Sequence, residues 1–358
     1  MAGRLDKLRK LIESQDPRLD ALLIESRENR RYMSGFSGSA GFLVIGRDCA
    51  YLITDFRYTE QAADQAPEFK IVRHGSPFTA TLLEVLAKAK VKRLGFEKAH
   101  LTYGRYDDLR TKLAPVELVP TESLVENLRA VKDAGEIKTI KEASRIADEA
   151  FGRLLKLLKI GLTEKEVAAE LEYQMRRLGA AGAAFDMVVA SGQRSSLPHA
   201  EPTDRRIDVG DFLTIDFGAE YRGYRSDCTR TMVFGRVTKK QREIYDIVLR
   251  AHEAAIAAAR PGLLGKELDA VARKVINDAG FAANFGHGLG HGVGLAVHEG
   301  PGVGQTGDLP LTKGNVITIE PGIYLPGWGG VRIEDMGALT ANGFDDFTKA
   351  PKQLITLE

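Results

Sequence analysis

The chain has 358 residues, more than one hydrophobic core usually supports, so its length predicts two domains. Lys and Arg total 50 against 49 Asp and Glu, and this balance, without a long basic run, argues against nucleic acid or a membrane surface as a partner. The two cysteines, Cys49 and Cys228, lie far apart in the sequence, which fits reduced thiols in a cytoplasmic protein better than a disulfide framework.

The first 125 residues alternate helical and strand patterns. Residues 1–16 interleave charges with leucines at helical spacing, and short apolar runs follow at 21–24, 41–46 and 50–55. This alternation predicts an α/β domain. No apolar run reaches the roughly 18 residues that a membrane span needs, so we expect neither a signal peptide nor an anchor. We predict one domain at 1–125 and a second at 126–358.

A duplicated pattern organises the second domain. The segments that begin at Lys159 and Arg260 each read as a glycine turn followed by an amphipathic helix, ending at Gly179 or Gly280. Two further matches follow in the same order: TIDFG at 214–218 against TIEPG at 318–322, and RSD at 225–227 against RIE at 332–334. We therefore predict two helix-plus-hairpin units that face each other across a pseudo-two-fold axis.

Each predicted hairpin carries two acids that point inward. Asp216 lies in an alternating strand, and Asp227 follows it after a glycine-bearing turn; Glu320 and Glu334 occupy the corresponding places in the second hairpin. Four carboxylates that converge in a core repel one another and lose hydration, which costs several kcal/mol for each unpaired charge. Divalent cations would remove that cost, so the pattern predicts a metal site.

A glycine- and histidine-rich segment, residues 285–301, is the evident source of a neutral imidazole ligand. Its glycines do not match a dinucleotide-binding loop, because the pattern fails at Val293, and Gly302 stands where a zinc-protease helix needs a second histidine. Oxygen-rich ligation with one imidazole and no thiolate favours Mn²⁺ or Co²⁺, with Zn²⁺ also possible.

The acids and one histidine, in this order, closely resemble the ligand set of the pita-bread metallopeptidases, which include methionine aminopeptidases, prolidases and aminopeptidase P. The resemblance covers nearly all of residues 130–358. It implies a mixed α/β (α+β) chain, with a creatinase-like N-terminal domain and a C-terminal pita-bread domain. The implied ligands of two divalent ions per subunit are Asp216, Asp227, His291, Glu320 and Glu334.

The resemblance also implies a role for each remaining site residue. Glu320 would carry a proton from the attacking water to the leaving nitrogen, and His199 and His298 would donate to the scissile carbonyl. His287 would line the pocket for proline, which His298 also contacts. Behind the ligands, we expect Arg332 to hold the carboxylate of Glu334, with which it shares a strand face, and Thr229 to act in the same way near Asp227.

Two features favour the Xaa-Pro branch of this family: the N-terminal domain and the additional histidine, His287. The runs SGFSGSAGFLVI and LITDFRYTEQA look more like aminopeptidase P, whereas the compact length suits small microbial prolidases. We therefore place Xaa-Pro aminopeptidase first, Xaa-Pro dipeptidase second, and an inactive pita-bread binding module as a remote third.

The resemblance also implies proline-containing peptides as substrates and a cytoplasmic homodimer. Arg194 departs from some relatives, which have asparagine there, and we expect it to alter substrate preference.

Overall fold

The computed structural model describes residues 2–358, and the chain divides into two compact units, Met1–Arg129 and Ala130–Glu358. None of the helices formed by residues 2–358 combines the length and apolar character that a bilayer crossing requires.

The N-terminal unit is built on one six-stranded mixed sheet. Its strands are β1 (Ala21–Ile24), β2 (Phe42–Gly46), β3 (Ala50–Thr54), β4 (Lys70–Arg73), β5 (Arg93–Glu97) and β6 (Glu117–Thr121). Its helices are α1 (Ala2–Glu13), α2 (Arg27–Ser34), α3 (Thr59–Gln65), α4 (Phe78–Lys88), α5 (Tyr103–Lys112) and α6 (Leu124–Ala130). The three predicted apolar runs form β1, β2 and β3.

The strand order of this sheet is β4-β3-β2-β1-β5-β6. The pairs β1–β2 and β2–β3 are antiparallel; α2 lies in the connection between β1 and β2, and a three-residue turn joins β2 to β3. The pairs β3–β4, β1–β5 and β5–β6 are parallel. Parallel neighbours need a crossover, which α3 supplies between β3 and β4, and α5 between β5 and β6. Leu82 and Leu86 of α4 and Leu109 of α5 are fully buried in one core with Leu23 and Ile53.

The C-terminal unit contains four helices and fourteen strands. The helices are α7 (Ala134–Leu154), α8 (Glu164–Arg177), α9 (Lys239–Ala258) and α10 (Gly265–Asp278), with short 3₁₀ turns at Gly192–Ser196 and Ala282–Asn284. The strands of the first half are β7 (Gly182–Ala183), β8 (Val188–Ser191), β9 (Phe212–Phe217), β10 (Ala219–Tyr221), β11 (Tyr224–Arg225) and β12 (Cys228–Phe234). The remaining strands are β13 (Gly290–Gly292), β14 (Glu299–Val303), β15 (Val316–Ile319), β16 (Gly322–Leu325), β17 (Gly329–Arg332), β18 (Asp335–Thr340), β19 (Gly343–Asp346) and β20 (Ile355–Leu357).

The duplicated segments form α8 and α10, as predicted. Thr163 and Glu166 make a capping box that starts α8, because each side chain accepts from the backbone amide of the other. Gly179 and Gly280 follow the two helices with φ of 101° and 89°, a backbone conformation that glycine adopts without a steric penalty.

Each predicted hairpin is divided into two short ladders. In the first half β9 pairs with β12 and β10 with β11; in the second, β15 pairs with β18 and β16 with β17. Pro321, which has no amide hydrogen, lies where the second ladder breaks. Gly218 lies at the equivalent point, where a Cβ would come within 1.8 Å of the Ser226 carbonyl oxygen.

This division changes where three of the four acids lie. Only Asp216 is inside a strand; Asp227 lies between β11 and β12, Glu320 between β15 and β16, and Glu334 between β17 and β18. The expectation that all four acids occupy strand positions is therefore wrong. The acids lie at the junctions between ladders, where the backbone leaves the regular pairing and several side chains can point to one place.

Each half of the unit has its own apolar core. One core joins α7 and α8 to β9 and β12 and contains Phe217 and Cys228, so this cysteine points away from the predicted metal site. The other joins α9 and α10 to β15, β16 and β17. Helices thus cover the outer surface of both halves, while the junctions with the acids remain on the inner side.

Candidate active site

A cavity of about 350 Å³ lies between the two halves of the C-terminal unit. It brings together almost every site residue predicted from the sequence: His199, Asp216, Asp227, His287, His291, His298, Glu320, Arg332 and Glu334. Thr229 is fully buried behind the cavity wall. Phe185, Val188, Pro198 and Val297 supply an apolar part of the lining.

The histidine segment is held against β15. The His291 amide donates to the Thr318 hydroxyl over 3.1 Å, and the Glu320 amide donates to the Leu289 carbonyl over 2.8 Å. Gly290 makes this approach possible, since a Cβ there would come within 2.2 Å of the Thr318 carbonyl oxygen. His291 and Glu320 are therefore brought side by side.

The Nε2 atom of His291 faces the carboxylates. It lies 3.4 Å from Oε1 of Glu320 and 3.6 Å from Oδ2 of Asp227, and the ligand atoms of Asp227, His291 and Glu334 all lie within 4.8 Å of one another. Its Nδ1 lies 3.1 Å from the Gly292 carbonyl, so Nδ1 carries the hydrogen and Nε2 a lone pair. Burial lowers the pKa of His291 to about 4, which keeps the imidazole neutral.

Arg332 contacts a different acid from the one predicted. Its Nη2 donates to Oδ2 of Asp216 over 2.7 Å, and its Nε donates to the Thr229 hydroxyl over 3.0 Å. The Thr229 hydroxyl donates in turn to Oε2 of Glu334 over 2.7 Å. We expected Arg332 to hold Glu334 and Thr229 to act near Asp227. In the structure, Arg332 holds Asp216 and Thr229 holds Glu334. The Glu334 amide donates to the Thr229 carbonyl, and this bond places Glu334 beside Thr229.

Tyr324 extends this chain of hydrogen bonds and had no firm sequence signal. Its hydroxyl accepts from Nη1 of Arg332 over 2.9 Å and donates to Nε2 of His287 over 2.9 Å. The other ring nitrogen of His287 donates to the Gly288 carbonyl over 2.8 Å. Both nitrogens of His287 therefore have protein partners, and burial lowers its pKa to about 4.

The residues of the cavity fit divalent cations. Besides the exposed Asp186, the four predicted acids share one cation of the lining, Arg332. Oδ1 of Asp216 is buried without a hydrogen-bond partner among residues 2–358. Burial and the neighbouring acids raise the pKa of Asp227 and Glu334 well above their ordinary values, and burial raises that of Glu320 to about 8. Because this cavity has more carboxylates than cationic side chains, and because a neutral imidazole lies beside the carboxylates, it is suited to metal binding.

Thr229→Val should weaken metal binding, because it removes the hydroxyl that orients Glu334 while keeping the shape of the side chain. We expect the affinity for Mn²⁺ to fall about 10–100-fold, measured by competition with a chelating dye. Thr231→Val is the matched control: this buried hydroxyl on the same strand contacts Thr214 and the backbone of Arg332, and no acid of the site. Equal losses of Mn²⁺ affinity in the two variants would contradict the role of the Thr229 hydroxyl in orienting Glu334.

An Asp–Arg pair on α10 supports the histidine segment and was missed from the sequence. Arg273 donates to the carbonyls of Phe285 and His287, each over 2.8 Å, and Asp269 accepts from the Leu289 amide over 3.0 Å. The two side chains also form an ion pair of 2.7 Å. Their spacing of four residues was visible in the sequence, but such pairs are common on exposed helix faces.

A buried ionic cluster lies behind Glu334. Arg230, 0% exposed, donates to the Glu334 carbonyl over 2.6 Å and to the carboxylate of Asp335 over 2.7 Å. Lys352 forms a short ion pair with Asp335, whose Oδ2 lies 3.3 Å from Nε2 of His252. His252 of α9 is fully buried, and burial lowers its pKa to about 4.

Both units of the chain match known protein families. Residues 138–341 match the model of metallopeptidase family M24, and residues 4–131 match the creatinase/prolidase N-terminal domain. The chain is 42% identical to an Xaa-Pro dipeptidase of Pyrococcus horikoshii over 98% of this chain and 99% of that protein.

Two solved structures illustrate the likeness of the fold. An Xaa-Pro dipeptidase from Bacillus anthracis superposes with a TM-score of 0.97 at 43% identity, covering 99% of both chains. An X-Pro aminopeptidase from Thermotoga maritima superposes with a TM-score of 0.91 at 38% identity, covering 98% of this chain and 100% of that one. These matches confirm the expected fold, a creatinase-like α/β domain followed by a pita-bread domain.

Proposed function

The chain belongs to metallopeptidase family M24, and on that premise we propose that it is a metal-dependent Xaa-Pro peptidase, specifically an Xaa-Pro dipeptidase. The observation that carries the proposal is the presence of the four acids and His291 in one cavity. Sequence motifs of the N-terminal third favour aminopeptidase P. The similar proteins favour a dipeptidase, because the two dipeptidases named above share more identity with this chain than the aminopeptidase does.

In this proposal two divalent cations are held by Asp216, Asp227, His291, Glu320 and Glu334. We propose Mn²⁺ or Co²⁺, because the donors are carboxylates and one imidazole, and the nearby Cys228 points into the apolar core. When bound, such cations neutralise the clustered acids, polarise the scissile carbonyl and lower the pKa of water from 15.7 to about 7.

Glu320 is the proton carrier of the proposed reaction. Its side chain is 16% exposed, against 6% for Asp227, so it reaches water in the cavity. Asp216 is similarly exposed, but its carboxylate is engaged by Arg332. Glu320 can therefore take a proton from the attacking water and deliver it to the prolyl nitrogen as the bond breaks.

His199 and His298 are the proposed donors to the substrate carbonyl. Both side chains are exposed in the cavity, and neither makes a hydrogen bond within residues 2–358. Their ring nitrogens are therefore available to a substrate oxygen that gains charge in the transition state. One such donor typically contributes about 3 kcal/mol to transition-state stabilisation.

His287 is the proposed contact for the proline ring. Because both of its nitrogens are bonded within the protein, it offers ring carbons to the cavity, beside Phe185, Val188 and Pro198. A prolyl residue has an apolar ring and no amide hydrogen, so an apolar surface recognises it where backbone hydrogen bonding cannot. The proposed substrates are accordingly proline-containing peptides.

A comparison of substrate lengths tests the dipeptidase proposal. With Mn²⁺ or Co²⁺ present, we expect an Xaa-Pro dipeptide to be hydrolysed with a kcat/KM at least about tenfold above that of the matching Xaa-Pro-Yaa tripeptide, a difference of about 1.4 kcal/mol in transition-state binding. Matched dipeptides with alanine in place of proline control for proline recognition. Preference for the tripeptide would establish aminopeptidase P activity instead.

The proposal has three further parts. The purified protein contains Mn²⁺ or Co²⁺, it forms a homodimer, and it resides in the cytoplasm. Metal analysis of the purified chain also distinguishes the enzyme from an inactive binding module, which would contain no stoichiometric metal. Light scattering measures the assembly directly.

A further inference from the structure

Glu164, the first residue of α8, is a buried carboxylate outside the cavity. Its side chain is 0% exposed and accepts hydrogen bonds from both ends of one loop, residues 191–203. The Ser191 amide and hydroxyl each lie 2.8 Å from Oε1, and the Thr203 amide and hydroxyl lie 2.9 Å and 2.6 Å from Oε2. One carboxylate therefore holds the two ends of the loop together.

The loop between these ends carries His199 into the cavity. Because the side chain of His199 makes no hydrogen bond within residues 2–358, the backbone of the loop sets its position. In the middle of the loop, the Ser195 hydroxyl donates to the Gly192 carbonyl over 2.6 Å and accepts from the Gly330 amide over 2.9 Å, which attaches the loop to β17. The loop ends themselves meet at Glu164.

Arg194 helps to attach the loop to Glu164 and does not line the cavity. Its Nε lies 3.3 Å and 3.2 Å from the two carboxylate oxygens of Glu164, and its Nη2 donates to the Glu201 carbonyl over 2.6 Å. The expected effect of Arg194 on substrate preference remains a prediction, and from this position it would act through the loop that carries His199. It strengthens the attachment of the loop to α8.

The carboxylate of Glu164 is ionised in spite of its burial. Burial acts to raise its pKa, but the hydrogen bonds from Thr203 and Ser191 outweigh that effect and leave the pKa below its ordinary value. An ionised carboxylate accepts from all these donors at once, whereas an amide of the same shape would turn its own hydrogens towards some of them.

We propose that Glu164 is a positioning residue for catalysis, which fixes the imidazole of His199 in the cavity by joining Ser191 to Thr203. The inference rests on the role proposed above for His199. A displacement of about 1 Å in a catalytic group can cost on the order of 100-fold in rate, so loss of the attachment should be measurable although Glu164 touches no substrate.

A double-mutant cycle with Glu164→Gln and His199→Ala tests the proposal. In the otherwise natural protein, we expect Glu164→Gln to lower kcat about 10–100-fold with little change in KM or in metal content. In the His199→Ala background the same substitution should have almost no further effect, because the group that it positions is absent. Glu166→Gln is the matched control, since Glu166 lies on the same helical turn and bonds only to Thr163.

The outcomes separate this inference from the proposed function. If Glu164→Gln lowers kcat equally in both backgrounds, Glu164 acts by general destabilisation and the inference is overturned while the role of His199 stands. If His199→Ala leaves kcat unchanged, the proposed role of His199 is overturned and the positioning role with it. Should Glu164→Gln fail to fold, Thr203→Val, which removes one hydroxyl donor at one end of the loop, enters the same cycle with a smaller expected loss.

Discussion

Glu320→Gln should reduce kcat by about 10³-fold, because the substitution keeps the shape of the side chain but removes its ability to take and release a proton. The carboxylate lies 3.4 Å from Nε2 of His291 and accepts from the Thr318 hydroxyl over 3.2 Å, contacts that the amide oxygen can keep. We therefore expect KM and the fold to change far less than kcat. Steady-state kinetics with an Xaa-Pro dipeptide measures the effect.

Asp186→Asn is the matched control for this variant. Asp186 is an exposed acid in the lining of the same cavity and forms no ion pair or hydrogen bond within residues 2–358. Metal content must be measured alongside kcat. Loss of activity with full metal content supports the proton-carrier role, loss of activity together with metal would make Glu320 essential only as a ligand, and retained activity would refute both assignments.

The metal-free protein should lose stability as the pH rises. The pKa of Glu320 is raised by burial from its ordinary value of 4.5 to about 8, and those of Asp227 and Glu334 are raised in the same direction. A carboxyl with a raised pKa in the folded state contributes stability fully below pH 4.5, and that contribution is lost as the pH rises through about 8. For Glu320 alone the loss is on the order of 5 kcal/mol.

Bound Mn²⁺ should reverse this dependence. A cation stabilises the ionised acids and binds only the folded chain, so the stability above neutral pH should increase with metal concentration. Urea unfolding between pH 5 and about 9, with a chelator or with Mn²⁺, makes the comparison. Glu320→Gln should flatten the metal-free profile, since it removes one of the acids that must ionise. Identical profiles with and without metal would show that the acids do not form a cation site.

Several features of the site were predictable because they rest on local pattern. The duplicated glycine-turn helices became α8 and α10, and the paired TIDFG and TIEPG runs brought Asp216 and Glu320 into one cavity. Each of these signals needs only a few neighbouring residues: a glycine after a helix, or alternation along a strand. Duplication added the information that two such units face each other.

Residue identity and spacing did not predict which side chains would meet across long separations. Arg332 contacts Asp216, 116 positions away, and the Thr229 hydroxyl reaches Glu334 across 105 positions. Those partners depend on where the ladders break, at Gly218 and Pro321, and on the reach of each side chain at that break. A shift of one residue at a junction would turn the following side chains to the opposite face of the sheet and separate these partners.

The sequence by itself determined the alternating α/β pattern, the duplicated unit and the four acids, because these follow from local periodicity and from the electrostatic cost of unpaired carboxylates. The pita-bread fold and the roles of the histidines were implied by the family resemblance. Only the tertiary structure decided how those groups are held. Glu164, Arg273 and Arg230 form hydrogen bonds to backbone groups outside their own helix or strand, at Thr203, His287 and Glu334 respectively. Their partners become neighbours only when distant segments pack together, so no local pattern distinguishes them from ordinary charged residues on helices and strands.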